Sequence, residues 1–188
     1  MRWFLIDRFE EFISGQRATA VKAVAMTEPS VDDYSVTYPR FPSSLIVEGI
    51  AQAGGILVSQ INDFKNRVVL AKINHSAFHF FATPGDRLVI DVEILNLQEF
   101  GAVVSGMARV DGRIQSEVEL VFAYLGNEFE GVQLFEPGGF CRVLRCLKLF
   151  DVGVNPDGTP IHVPQHMLDA ERFDLEKYDQ YFASQAAS

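Results

Sequence analysis

The longest apolar run in the chain is Leu45-Ile46-Val47-Glu48-Gly49-Ile50-Ala51-Gln52-Ala53-Gly54-Gly55-Ile56-Leu57-Val58. From Leu45 to Ala51 every residue except Glu48 is apolar or glycine. At helical spacing such a run has almost no water-facing side, so it predicts a central helix with Glu48 buried. Ser43 or Ser44 suits the N-cap, and the helix is expected to run to about Phe64. Ala51, Ala53, Gly54 and Gly55 lack bulk. A mid-helix glycine costs ~1 kcal/mol against alanine. Two in a row predict a very close neighbour, most simply a sheet wrapped around the helix.

Much of the remaining first two-thirds alternates as strands do. Residues 17–26 read as a strand after a Ser-Gly turn. Residues 28–44 contain Pro29, Pro39 and Pro42 and read as a long ordered loop. Residues 68–73 and 77–81 form one long strand with room for a bulge. Pro84-Gly85-Asp86 is a turn in which Asp86 bonds the backbone. Residues 87–95 alternate, with Leu88, Ile90, Val92 and Ile94 on one side. Residues 102–110 and 114–124 flank Asp111-Gly112, the strongest hairpin signal in the chain. One long helix ahead of several antiparallel strands makes an α+β layer architecture.

After Gly126 the character changes. Phe140, Val143, Leu144 and Leu147 have the spacing of a short amphipathic helix. Asn155-Pro156-Asp157-Gly158 is a turn. Residues 169–182 read as a surface helix with Phe173, Leu175, Tyr178 and Tyr181 or Phe182 as its contacts. So short a segment is expected to need a larger body to fold against. The expected division is residues 1–126 as the main domain and 127–188 as an extension docking on it.

The 188 residues are 48% hydrophobic and 22% charged, which suits one globular domain. The net charge of -9 argues against nucleic acid and against an anionic membrane surface. No apolar run reaches the ~20 residues of a membrane span, and the apolar start is too short for a signal peptide. Cys141 and Cys146 are the only cysteines, so no zinc site or disulfide framework is signalled and a cytoplasmic location is expected. Sixteen phenylalanines fit a Phe-rich core, an apolar tunnel or a dimer interface.

Glu48 carries the candidate chemistry. An ionised carboxylate in an apolar medium is too costly to keep for packing alone, and a group so placed suits proton transfer. The alternative is a structural glutamate satisfied by a backbone group or by Gln52, one turn on.

These segments together resemble the β-hydroxyacyl-acyl-carrier-protein dehydratases of fatty-acid synthesis, the FabZ/FabA type. The likeness runs from about Phe4 to Tyr124. It includes Leu5-Ile6-Asp7-Arg8, Ala20-Val21-Lys22-Ala23-Val24 followed by Glu28-Pro29, the helix block from Leu45 to Ala53, Phe78 with Pro84-Gly85-Asp86-Arg87-Leu88, and Val110-Asp111-Gly112. The resemblance implies a hot-dog fold: a curved antiparallel sheet wrapped around one long central helix, here with a C-terminal helical appendage. It implies a homodimer, or a hexamer built as a trimer of dimers, with the acyl tunnel at the dimer interface. The implied reaction removes water from a 3-hydroxyacyl thioester carried on the phosphopantetheine of an acyl carrier protein, with no metal or other cofactor. Glu48 would be the family's helix carboxylate and Gln52 its supporting glutamine. Ser44 at the helix start and Phe78 are the further substrate-binding candidates.

One position departs. The family's loop reads His-Phe-Pro-Gly-x-Pro-x-x-Pro-Gly ahead of the helix. Counting back from Glu48 and forward from Glu28-Pro29 both lead to Tyr34 where the catalytic histidine belongs. Thr37 and Ser43 replace the motif glycines. A phenol titrates near about 10, so neutral tyrosine is a poor base at neutral pH. Three outcomes follow. Tyr34 acts in altered chemistry, another residue such as His75 or His79 replaces the histidine, or the protein binds acyl chains without turnover. His75 and His79 sit four apart, ~13 Å along a strand, too far to share a metal. His162 and His166 are expected to be exposed. A thioesterase on the same fold is a further reading, with Glu48 acting on water.

Overall fold

The computed structural model describes residues 4–34, 38–126 and 134–186; the side chains of residues 32–34 and of those beyond residue 179 are outside the description. The strands are β1 (Arg8–Ile13), β2 (Arg17–Ala23), β3 (Val68–Phe78), β4 (Arg87–Gln98), β5 (Gly101–Val110), β6 (Arg113–Tyr124) and β7 (Gly153–Val154). The helices are α1 (Pro29–Tyr34), α2 (Ser43–Gln60), α3 (Pro137–Cys146), α4 (Leu149–Val152) and α5 (Gln165–Ala186). The strands make one sheet in the order β3-β6-β5-β4-β2-β1-β7. All described pairings are antiparallel except β1 with β7.

The sheet curls around α2, which touches β2, β3, β4, β5 and β6. Ile46, Ile50 and Leu57 of α2 are fully buried with Ile90 and Leu120 of the sheet. Each such side chain stabilises the fold by about 1.5–3 kcal/mol. The close approach predicted from the glycine pair is real at Gly54, where an added Cβ would lie 3.2 Å from Phe122 and Val104. The sheet reciprocates at Gly106, where any Cβ would run into the Ile50 side chain.

Register shifts between Leu70 and Lys72 and between Ile73 and His75 make β3 a bulged strand, as its sequence predicts. Asp111 and Gly112 both have positive φ (50° and 77°), the geometry a two-residue hairpin turn requires. The Thr83 N–H donates to Asp86 Oδ2 at 2.7 Å, closing the expected turn.

Four expectations need correction. Residues 28–44 are not loop throughout, because Pro29 suits a first helical turn and begins α1. The helix α2 stops at Gln60 rather than near Phe64; Asp63 and Phe64 have positive φ and break it. Its N-cap is Pro42, with no side-chain cap, so Ser43 and Ser44 lie in the first turn. On α5, Phe173, Leu175 and Tyr178 are exposed. The helix docks instead through buried Met167 and through Arg142–Asp174 and Arg145–Glu171 ion pairs with α3. Tyr181 and Phe182 have side chains outside the described residues.

The segment after Gly126 shares the main core. Cys141, Leu144, Leu147 and Leu149 are buried, and the Phe9 N–H of β1 donates to the Leu147 carbonyl at 2.8 Å.

Candidate active site

One side of α2 is only partly covered by the sheet. Ile46, Val47, Gly49, Ile50, Ala53, Gly54, Leu57 and Val58 are buried. Glu48, Gln52, Gly55 and Ser59 are not, and their spacing of four, three and four keeps them on one side of the helix. Glu48 is therefore exposed in the isolated chain, which corrects the expectation of burial. The run is apolar in composition, yet its two polar residues, Glu48 and Gln52, fall on the one stripe that the sheet covers incompletely.

Glu48 and Gln52 border a hollow of about 190 Å³ whose other walls are almost wholly apolar, among them Phe4, Leu70 and Phe122. Gln52 donates its Nε2–H to Glu48 Oε1 at 3.0 Å and accepts the Leu5 backbone N–H on its own Oε1 at 2.7 Å. Strand β6 supplies Phe122 and β3 supplies Val68 and Leu70. A carboxylate held by an oriented amide at the edge of an apolar hollow can accept or deliver a proton next to a buried alkyl chain.

The approach to α2 is pinned by Lys22, which is 8% exposed. Its ammonium pairs with Glu28 just ahead of α1, lies 3.8 Å from Asp7 and faces the Phe41 ring. The Phe41 N–H donates to the Ala82 carbonyl at 2.8 Å. These contacts fix the start of α1 and the entry to α2.

A FabA-like domain model matches residues 2–123. The chain belongs to the FabA-like domain family. It is 34% identical over 122 residues, 64% of its length, to the 3-hydroxyacyl-[acyl-carrier-protein] dehydratase FabZ of Oceanobacillus iheyensis, of which 87% is covered. Among solved structures it is similar to a Streptococcus mutans UA159 protein bound to acetyl CoA, with a TM-score of 0.55 and 17% identity over 67% of this chain and 94% of that one. A variant of a hypothetical thioesterase from Streptococcus pneumoniae TIGR4 gives a TM-score of 0.53 and 14% identity over 64% and 91%. The FabA-like chain has the α+β hot-dog fold.

The candidate residues of this FabA-like chain are not all brought together. Glu48 and Gln52 are bonded to one another. Ser44 is exposed on the first turn of α2. Phe78 is exposed at the end of β3 and is not among the residues lining the Glu48 hollow. Tyr34 ends α1, and its side chain is outside the described residues. His79 Nε2 lies 3.0 Å from Glu117 Oε2 on the neighbouring strand, an exposed pair. His162 and His166 are exposed, as expected. Among the described residues no cluster of three or more His, Cys, Asp or Glu could hold a metal, and no helix is long and apolar enough to cross a membrane. The lining residues Phe135 and Phe140 were not legible as site residues, because they lie beyond the segment that matches the family.

Proposed function

We propose that this FabA-like protein is a hydro-lyase that removes water from 3-hydroxyacyl thioesters carried by an acyl carrier protein, in fatty-acid or related lipid synthesis, with an altered active site. The observation that carries the reading is the Glu48–Gln52 pair at the edge of an otherwise apolar hollow. The kinship with FabZ dehydratases supports the same substrate class. In this reading Glu48 delivers the proton with which the 3-hydroxyl leaves as water. The proton on the carbon next to the thioester carbonyl passes to the base position, where Tyr34 takes it as the ionised phenolate, and the C2–C3 double bond forms. Backbone N–H groups at the start of α2, near Ser44, polarise the carbonyl. The chemistry is proton transfer alone and calls for no cofactor besides the substrate's own phosphopantetheine.

The proposal includes a homodimer, in which a second copy covers the exposed Glu48 stripe and the bare edge of β3, with Phe78 on the shared wall. A hexamer built from such dimers is compatible with it. Residues 1–126 carry the thioester site and 127–188 extend it. A cytoplasmic location fits a carrier-protein substrate.

A second reading, an acyl-thioester-binding or assembly subunit without turnover, is favoured by tyrosine at position 34. Mass analysis of a 3-hydroxyacyl carrier protein after incubation separates the readings. Loss of one water supports the hydro-lyase. Release of the free carrier thiol would mean a thioesterase. Saturable binding without either product would mean the binding subunit.

A further inference from the structure

Two hollows adjoin along α2. The inner one, about 190 Å³, has Glu48 and Gln52 at its edge. The outer one, about 490 Å³, lies between the end of α2, the start of β3 and the C-terminal extension. Both are lined by Ser59, Val68, Phe135 and Phe140, so these four residues stand where the hollows meet. Phe135 and Phe140 belong to the extension, beyond residue 123 where the family match ends.

We propose that the inner hollow takes the alkyl tail of the acyl group, and that Phe135 and Phe140, at its junction with the outer hollow, set the longest tail accepted. The inference rests on the thioester reading of Glu48 and adds the chain-length determinant. Between Gln52 and Ser59 the inner hollow is bounded by Ala51, Gly55 and Ile56 of α2, by Phe122, and by Val68 and Leu70. None of these side chains can satisfy an amide. A pantetheine arm, which carries two, would leave them unpaired there. An alkyl tail has no such requirement and gains about fourfold in affinity per buried methylene. At the outer rim Lys65 pairs with Asp63 at 3.8 Å, and Arg67 donates to the Gly126 carbonyl at 3.1 Å, so both cations have partners within the fold.

Phe140 is the less exposed of the two rings and is packed on two sides. Phe140 stacks on Phe135 at 4.7 Å and meets Phe64 edge-on at 5.8 Å. Phe140 sits on α3, which is clamped to α5 by the ion pairs of Arg142 with Asp174 and Arg145 with Glu171.

The test uses the full chain and S-(2-oxoalkyl)pantetheines of increasing length, whose ketone can be neither dehydrated nor hydrolysed. Calorimetric binding is compared for the wild type, Phe140→Ala and Ser59→Leu, alongside dehydration of 3-hydroxyacyl carrier proteins. Affinity is expected to climb with each methylene and then stop climbing. The stopping length should increase in Phe140→Ala and decrease in Ser59→Leu. The same stopping length in all three proteins would overturn the inference, and Ser59→Leu decides alone if Phe140→Ala does not fold. A shifted limit without enoyl product keeps the groove and sinks the hydro-lyase reading. Enoyl product with an unshifted limit does the reverse. No binding at any length overturns the inference, and without enoyl product it overturns the hydro-lyase reading as well.

Discussion

Gln52 holds Glu48 in a fixed sense: its Nε2–H reaches Glu48 Oε1 at 3.0 Å because its Oε1 is taken by the Leu5 N–H at 2.7 Å. The backbone N–H can only donate, so the amide cannot turn over without losing both bonds. The N-terminal segment thereby orients a side chain on the central helix.

Gln52→Leu should lower both stability and turnover. It leaves the buried Leu5 N–H without its acceptor, a loss of about 1–3 kcal/mol, visible as a lower urea midpoint. Gln52→Glu keeps an acceptor for Leu5 but turns an oxygen toward Glu48. It should cost less stability while turnover still falls roughly tenfold or more, the equivalent of one charged hydrogen bond. Equal turnover in the wild type and both variants would remove Gln52 from the site.

Tyr34→His should raise dehydration at neutral pH. A positioned base supplies roughly 10²–10⁴-fold, and imidazole is far better matched to that pH than a phenol. Initial rates of enoyl formation measure this. An unchanged rate would mean that Tyr34 does not stand at the base position.

Strand β3 is an edge strand with Leu70 39% and Ile73 45% exposed. Such an edge is a template for pairing. Sedimentation velocity should find a dimer for the wild type and a weakened one for Ile73→Lys. A wild-type monomer would contradict the shared site.

Cys141 is buried, and burial pushes its thiol pKa up, with the nearby Glu171 carboxylate acting in the same direction. Cys146 is exposed. A thiol reagent at mildly alkaline pH should therefore label Cys146 alone in the folded protein, and Cys141 only after denaturation. Labelling of both in the native state would contradict the docking of α3.

The meander from β4 to β6 and the wrapping of α2 were legible because alternation, the Asp111-Gly112 turn and the Gly54-Gly55 pair each act locally. The exposure of Glu48 was not. Composition along the run suggested a helix greasy all round, whereas the spacing of Glu48, Gln52, Gly55 and Ser59 already marked one incompletely covered stripe. The exposed aromatics of α5 misled for the opposite reason: that helix docks through Met167 and ion pairs rather than through its rings. Phe135 and Phe140 reach the site only through tertiary docking of the extension, which no local pattern encodes.

Under the proposed function the Glu48 carboxyl transfers the proton in dehydration. Turnover of a 3-hydroxyacyl carrier protein by the wild type and Glu48→Gln, with acyl affinity measured in parallel, tests it most directly. The account predicts enoyl product from the wild type, a rate lower by about 10²-fold or more in Glu48→Gln, and similar affinity in the two. Equal rates in the two proteins would contradict it.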